Sequence, residues 1–207
     1  MGRMDAAVSM ASIWASVTSS DGIRGMSPLF RGMGRIVCAG LLLLALCGAT
    51  RVYQAPEAFI ADSFGGSPPT AQTFWLTGPV REGAASILRH PPPPRLTYWR
   101  AGEQTVFVLE EIGKEQPITA GILIRDGRIA RVSILVYRES RGGEVRTPAF
   151  TRQFEGAGLD EDQRLDRTIN GISGATLSVN ALDRMTRLAL FLDRQLPAGP
   201  SEPSSSQ

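Results

Sequence analysis

Read from the amino end, the apolar positions first run together, then take a helical spacing, then alternate, and finally return to a helical spacing. The unbroken run is residues 36–49, IVCAGLLLLALCGA, which has no polar face. Beyond it, a short helix is predicted over residues 57–64. Pro56 opens it at a position that helices tolerate, and Gly65, Gly66, Ser67, Pro68 and Pro69 end it. A second helix is predicted over residues 79–89, where Val80, Ala84, Ile87 and Leu88 share one face. The prolines at 91–94 then form a rigid extended connector.

Strands follow. Residues 96–100 and 105–112 are rich in β-branched and aromatic side chains. Residues 118–124 and 129–137 flank Arg125-Asp126-Gly127-Arg128. An Asp-Gly pair between two apolar runs predicts a tight hairpin, because both positions accept positive φ. Val132, Ile134 and Val136 alternate with Arg131 and Ser133, which predicts an antiparallel sheet buried on one face. Residues 139–155 read as irregular around Gly142, Gly143 and Pro148, and residues 160–167 as a charged stretch. A last helix is predicted over residues 177–196. Leu182, Met185, Ala189, Leu192 and Leu196 would pack on the sheet, with Arg184, Arg187 and Arg194 facing water. The fold class is therefore α+β: an antiparallel sheet with helices packed on one face, behind an N-terminal signal or anchor segment.

The apolar run reads as an address. Arg31 and Arg35 precede it, and the small residues Cys47, Gly48 and Ala49 end it, as in a secretory signal peptide. Fifteen residues separate Arg35 from Arg51, fewer than the ~17–25 that a spanning helix needs. Extension through Val52 and Tyr53 keeps an uncleaved membrane anchor as the alternative. Leu46 is bulky where lipidation at Cys47 would need a small residue. Residues 1–32 show no period, and translation is expected to start at Met26 or Met33. The chain thus divides into an unstructured or misassigned extension at 1–32, the address at 33–54, a helical part at 55–95, a main domain at 96–196 and a disordered Pro/Ser-rich tail at 197–207.

Composition narrows the function. The chain has 22 basic and 20 acidic residues; leaving out Arg3, Arg24, Arg31, Arg35, Asp5 and Asp21, which precede the apolar run, leaves 18 of each. A neutral folded part lacks the basic excess that nucleic-acid binding requires. Cys38 and Cys47, the two cysteines, lie inside the apolar run, and His90 is the single histidine. The folded part therefore holds no disulfide and no zinc or iron–sulfur site built on cysteine, and no metal is expected. Nor do a catalytic histidine pair or a carboxylate motif point to a substrate-transforming centre.

The chemistry concentrates in Ser173-Gly174-Ala175-Thr176, between an Asn170-Gly171 turn and the last helix. Ser173 is a suitable N-cap, which would put Thr176 in the first helical turn. Unpaired N–H groups and a partial positive charge there suit a phosphate. Gly174 and Ala175 keep bulk away from it. Without further context, a capped helix after a loop would account for the same four residues.

Ser-Gly-Ala-Thr followed by Leu-Ser resembles the attachment motif of the FMN-binding domain family. That family includes the flavin-carrying subunits of the sodium-translocating NADH:quinone reductase and of the Rnf electron-transport complex. Glu139-Ser140-Arg141-Gly142 is similar to the family's Glu-Thr-Pro-Gly segment, and Phe150-Thr151-Arg152-Gln153-Phe154 to its next segment. The likeness covers residues 96–196. It departs at Asn170, where the family carries an acid, and at Arg141 and Gly143, which replace Pro and Leu.

The resemblance implies FMN joined by a phosphoester to Thr176, attached by a flavin transferase that uses FAD. Ser173, Gly174, Ala175, Glu139 and Ser140 would complete the cofactor site. It also implies an electron carrier on the periplasmic side of the bacterial inner membrane, exported or anchored, with membrane or periplasmic redox proteins as donor and acceptor. Arg146, Arg152 and Arg167 are candidates to contact the phosphate or the ring, although surface arginines are the commoner case. Trp75, Tyr98, Trp99 and Tyr137 could stack on the ring, with core packing as the simpler assignment. Two other classes stay open: a flavin-free partner-binding module of the same fold, and a flavin-dependent reductase with its own substrate.

Overall fold

The alternating segments pair as expected, and two short strands extend the sheet at its edges. The computed structural model describes residues 51–197. The expected start at Met26 or Met33, the 1–32 extension, the apolar run at 36–49 and the tail after Pro197 lie outside those residues. In chain order the elements are β1 (Arg51–Val52), α1 (Pro56–Ser63), β2 (Gln72–Trp75), α2 (Gly78–Leu88), β3 (Arg95–Ala101), β4 (Gln104–Ile112), β5 (Pro117–Arg125) and β6 (Arg128–Tyr137). A 3-10 turn (Gly143–Arg146), the one-turn helix α3 (Pro148–Thr151), a second 3-10 turn (Arg152–Phe154) and α4 (Thr176–Asp193) complete the chain. Among the described residues, no helix is long and apolar enough to cross a membrane.

The six strands lie in the order β1-β6-β5-β4-β3-β2, all antiparallel. Asp126 and Gly127 join β5 to β6 with φ of 52° and 68°, the turn that the Asp-Gly pair predicted. Neither edge strand was visible as a period. β1 has two residues, and β2 has four on an exposed edge, held partly by the Tyr98 hydroxyl, which donates to Gln72 Oε1 at 2.8 Å.

One face of the sheet carries Phe107, Ile122, Ile124, Val132 and Ile134, covered by α4 through Leu182, Met185, Ala189 and Leu192. α2 adds Ala84, Ile87 and Leu88 to the same core. The expectation that all helices pack on one face is corrected by α1. Its Phe59 and Ile60 lie on the opposite face, against Val106, Leu123, Leu135 and Val136. Both faces of the central sheet are therefore buried, so β4, β5 and β6 alternate between two cores rather than between core and water.

A β-bulge corrects the reading of β6. Thr119 pairs with Val136 and Ala120 with Ile134, which leaves Leu135 as the extra residue. Leu135 and Val136 consequently join the α1 face, and Tyr137 turns to the α4 face. A period-2 reading assigns Val136 to the same side as Ile134, because an inserted residue leaves no mark in composition.

The arginines of α4 are also less exposed than expected. Arg184 Nη2 donates to buried Glu111 Oε1 at 2.9 Å, and Arg187 Nε donates to the Gln163 carbonyl at 2.6 Å. Arg194 is exposed, as expected. Glu111 also takes a 2.9 Å contact from His90 Nε2, while His90 Nδ1 lies 3.1 Å from the Pro91 carbonyl. Both ring nitrogens face acceptors, and only the doubly protonated imidazolium can donate to both. The hydrogen bond to Glu111, followed by that to Pro91, accordingly raises the His90 pKa. A raised pKa stabilises the fold fully below the unfolded histidine value of about 6.5 and ceases to do so as pH rises through the folded value. The melting temperature is expected to fall across that window. In His90→Gln this step should be absent from a pH series of thermal melts.

Candidate functional site

The bulge that rotates Tyr137 brings together the segments that line a cleft. The Tyr137 hydroxyl donates to the Arg141 carbonyl at 2.6 Å and lies 3.2 Å from Ser178 Oγ, in the first turn of α4. Burial raises the Tyr137 pKa, against the lowering effect of the Ser178 bond, so the phenol stays neutral and able to donate. One side chain thus ties the end of β6, the irregular segment after it and the start of α4 into a single unit.

Gly142 completes this junction. Its φ is 75°, and a Cβ placed there would lie 3.1 Å from both the Ala175 Cβ and the Tyr137 hydroxyl. Left-handed backbone is unfavourable for a residue with a side chain, and the contacts leave little room for one. Gly142→Ala is expected to cost about 1–3 kcal/mol, measurable as a lower urea midpoint with an unchanged slope.

The third wall is the turn between β4 and β5. Glu139 Oε1 accepts the backbone N–H groups of Lys114, Glu115 and Gln116 at 2.5, 2.7 and 3.0 Å. Burial works against the ionised form, but the three N–H groups outweigh it and hold Glu139 below the usual glutamate range. Its charge is therefore engaged in holding the turn.

Between these walls lies a cleft of about 560 Å³, within the range of ligand sites. Lys114 and Glu115 line it from the turn, Glu139, Ser140 and Arg141 from the irregular segment, and residues Gly174 to Ser178 from the start of α4. Of the expected cofactor residues, Thr176, Ala175, Gly174, Glu139 and Ser140 meet here; Ser173 is exposed and outside the lining. Nor does Ser173 cap the helix. Gly174 takes a φ of 81° and Ala175 N–H bonds the Ile172 carbonyl at 3.0 Å, which delays the helix to Thr176. The N-cap position falls on Ala175, which has no capping side chain. The first-turn N–H groups are left without a protein cap, with exposed Thr176 as the first helical residue.

The other candidates lie elsewhere. Arg146 stacks 4.3 Å from the Tyr53 ring centroid, and its Nε donates to Gly143. Arg167 donates to the Gln153 and Glu155 carbonyls, and Arg152 is exposed outside the lining. Tyr98 is core, Trp99 packs on the α1 face, and exposed Trp75 sits beside Arg95. Asn170 N–H bonds Gln153 Oε1 at 2.8 Å, away from the cleft. Asp166 does not replace the missing acid there, because it accepts Gly158 N–H at 2.9 Å and pairs with Arg128.

Sequence reasoning missed Lys114 and Glu115, gave Leu177 and Ser178 only as the residues after the motif, and gave Arg141 only as a departure from it. Lys114 is the chain's only lysine, but nothing local in the sequence places its turn against α4. Leu177 is 49% exposed at the cleft.

The residues present suit a phosphate-bearing group. An uncapped helix start, an exposed hydroxyl at Thr176, the cation Arg141, the cation Lys114 (paired with Glu115 at 3.1 Å on the exposed turn), and open space around Gly174 are donors that an organic phosphate can use. Among curated proteins, none matches the chain. Residues 113–190 match the family model of the FMN-binding domain, a span that begins beside Lys114 and ends within α4. Every wall of the cleft falls inside that match, and this segment of the chain belongs to the FMN-binding domain family.

Proposed function

We propose that this chain is an exported electron carrier whose FMN is joined to Thr176 Oγ1 by a phosphoester. The observation that carries this reading is the exposed Thr176 hydroxyl at an uncapped helix start, inside a cleft that also presents Lys114 and Arg141. Thr176 would be esterified by a flavin transferase with FAD as donor; its hydroxyl loses its proton and AMP is released. Lys114 and Arg141 would offset the phosphate charge, and the first-turn N–H groups would hold its oxygens. When bound, FMN supplies one- and two-electron transfer. Tyr137, Gly142 and Glu139 would keep the three walls in register.

A tether through phosphate suits a protein outside the cytoplasm, where a dissociated flavin is lost. The apolar run at 36–49 behind Arg31 and Arg35 supports export or anchoring to the periplasmic side of the bacterial inner membrane. Donor and acceptor would be membrane or periplasmic redox proteins. The test is the intact mass of the denatured chain after coexpression with a flavin transferase. A gain of one FMN less one water supports the reading, and an unmodified mass overturns it.

A further inference from the structure

A second cleft, of about 520 Å³, lies between the end of α2, residues 162–169 and the outer face of α4. Four guanidinium groups line it, from Arg89, Arg164, Arg167 and Arg187, against the carboxylates of Asp162 and Asp183. Asp183 already faces Arg187 at 3.4 Å. Arg167 and Arg187 are held by backbone carbonyls. Among the described residues, the side chains of Arg89 and Arg164 have neither an ion pair nor a hydrogen bond.

The backbone is unusual at the same place. Arg89, Asp126 and Gln163 are the non-glycine residues with positive φ among those described. Asp126 serves the hairpin turn. The other two belong to this cleft: Arg89 ends α2 with φ 65°, where glycine is the favoured residue, and Gln163, at φ 58°, offers its carbonyl to Arg187. Two non-glycine residues in left-handed backbone thus stand beside two unpaired guanidinium groups.

We propose that this cleft binds a small soluble molecule carrying two anionic groups, phosphates or carboxylates. Arg89 and Arg164 would contact the anions directly, and Arg167 and Arg187 would add fixed positive charge. Ser86 and Asn180 supply neutral hydrogen-bonding groups at the wall. Guanidinium groups suit this task because their planar donors match the oxygens of either anion. None of the lining residues belongs to the Thr176 cleft, so the proposal does not rest on the flavin reading.

The test is calorimetric titration of the full chain with inorganic pyrophosphate and with citrate at low ionic strength. Arg89→Gly removes the guanidinium and places glycine where the backbone favours it, so its melting temperature should equal or exceed that of the native chain. Saturable binding of either probe is expected, weakened about tenfold in Arg89→Gly and again in Arg164→Gln. Binding should be unchanged in Thr176→Ala. No saturable binding of either probe would overturn the proposal, as would equal affinity in the arginine variants or a loss in Thr176→Ala.

Discussion

Replacing Thr176 with alanine is expected to abolish the covalent flavin entirely while leaving the fold intact. The residue is exposed, begins α4 and is not a capping group. Alanine is a better helix former than threonine, and exposed substitutions of this kind change stability by no more than about 0.5 kcal/mol. Loss of modification in the variant would therefore reflect the missing hydroxyl rather than unfolding. Thr176→Ser keeps a hydroxyl at the same backbone position and is expected to retain the added mass. Three other hydroxyls lie near enough to compete. Ser140 lines the cleft, Ser173 is exposed beside it, and Ser178 is buried against Tyr137. Intact mass under denaturing conditions, with peptide mapping, decides among them. A flavin increment persisting in Thr176→Ala would move the attachment to one of these serines.

Phe59→Ala is expected to cost about 3–5 kcal/mol, the usual penalty for truncating a fully buried aromatic ring. A native domain commonly has only about 5–15 kcal/mol in total. Phe59 is 0% exposed and packs on the sheet face opposite α4. Gly121 makes the approach possible, since a Cβ there would lie 2.5–2.8 Å from ring atoms of Phe59. The Arg131 guanidinium covers the ring at 4.5 Å from its centroid, and Arg131 Nη2 bonds Ser63 Oγ at the end of α1 at 3.1 Å. Removing the ring leaves a cavity between α1, β4, β5 and β6 that these anchored neighbours cannot close. Urea unfolding measures the effect. A loss below about 1 kcal/mol would mean that α1 is peripheral, as surface substitutions are.

These two residues mark how far the sequence could be read. The helix start after Ser173–Thr176 was legible because a helix start and a hydroxyl in its first turn are local properties, carried by adjacent residues and their φ preferences. The strands β3 to β6 and the helices α1, α2 and α4 were legible for a similar reason: burial recurs along one element at a period its backbone dictates. Even the Asp126-Gly127 turn follows from two residues. The helix cap was misplaced by two positions because Gly174 and the turn from Ile172 to Ala175 compete with Ser173 for the same ends.

What crosses between elements was not legible. Phe59 reads as one apolar residue in a short helix, and nothing nearby states which face of the sheet receives it. The choice depends on Gly121, some sixty residues away, being small enough to admit a ring. Lys114 meets Arg141 and Thr176 only because Glu139 binds the turn that holds it, and Tyr137 reaches Ser178 only because Leu135 is an extra residue in β6. The sequence by itself determined the α+β elements and a helix start with an exposed threonine in its first turn, because each depends on near neighbours along the chain. The tertiary structure alone decided the second core, the walls of the cleft and the gathering of arginines in the second cleft. Those depend on register and on packing between segments distant in sequence, where one inserted residue or one missing Cβ redirects every side chain that follows.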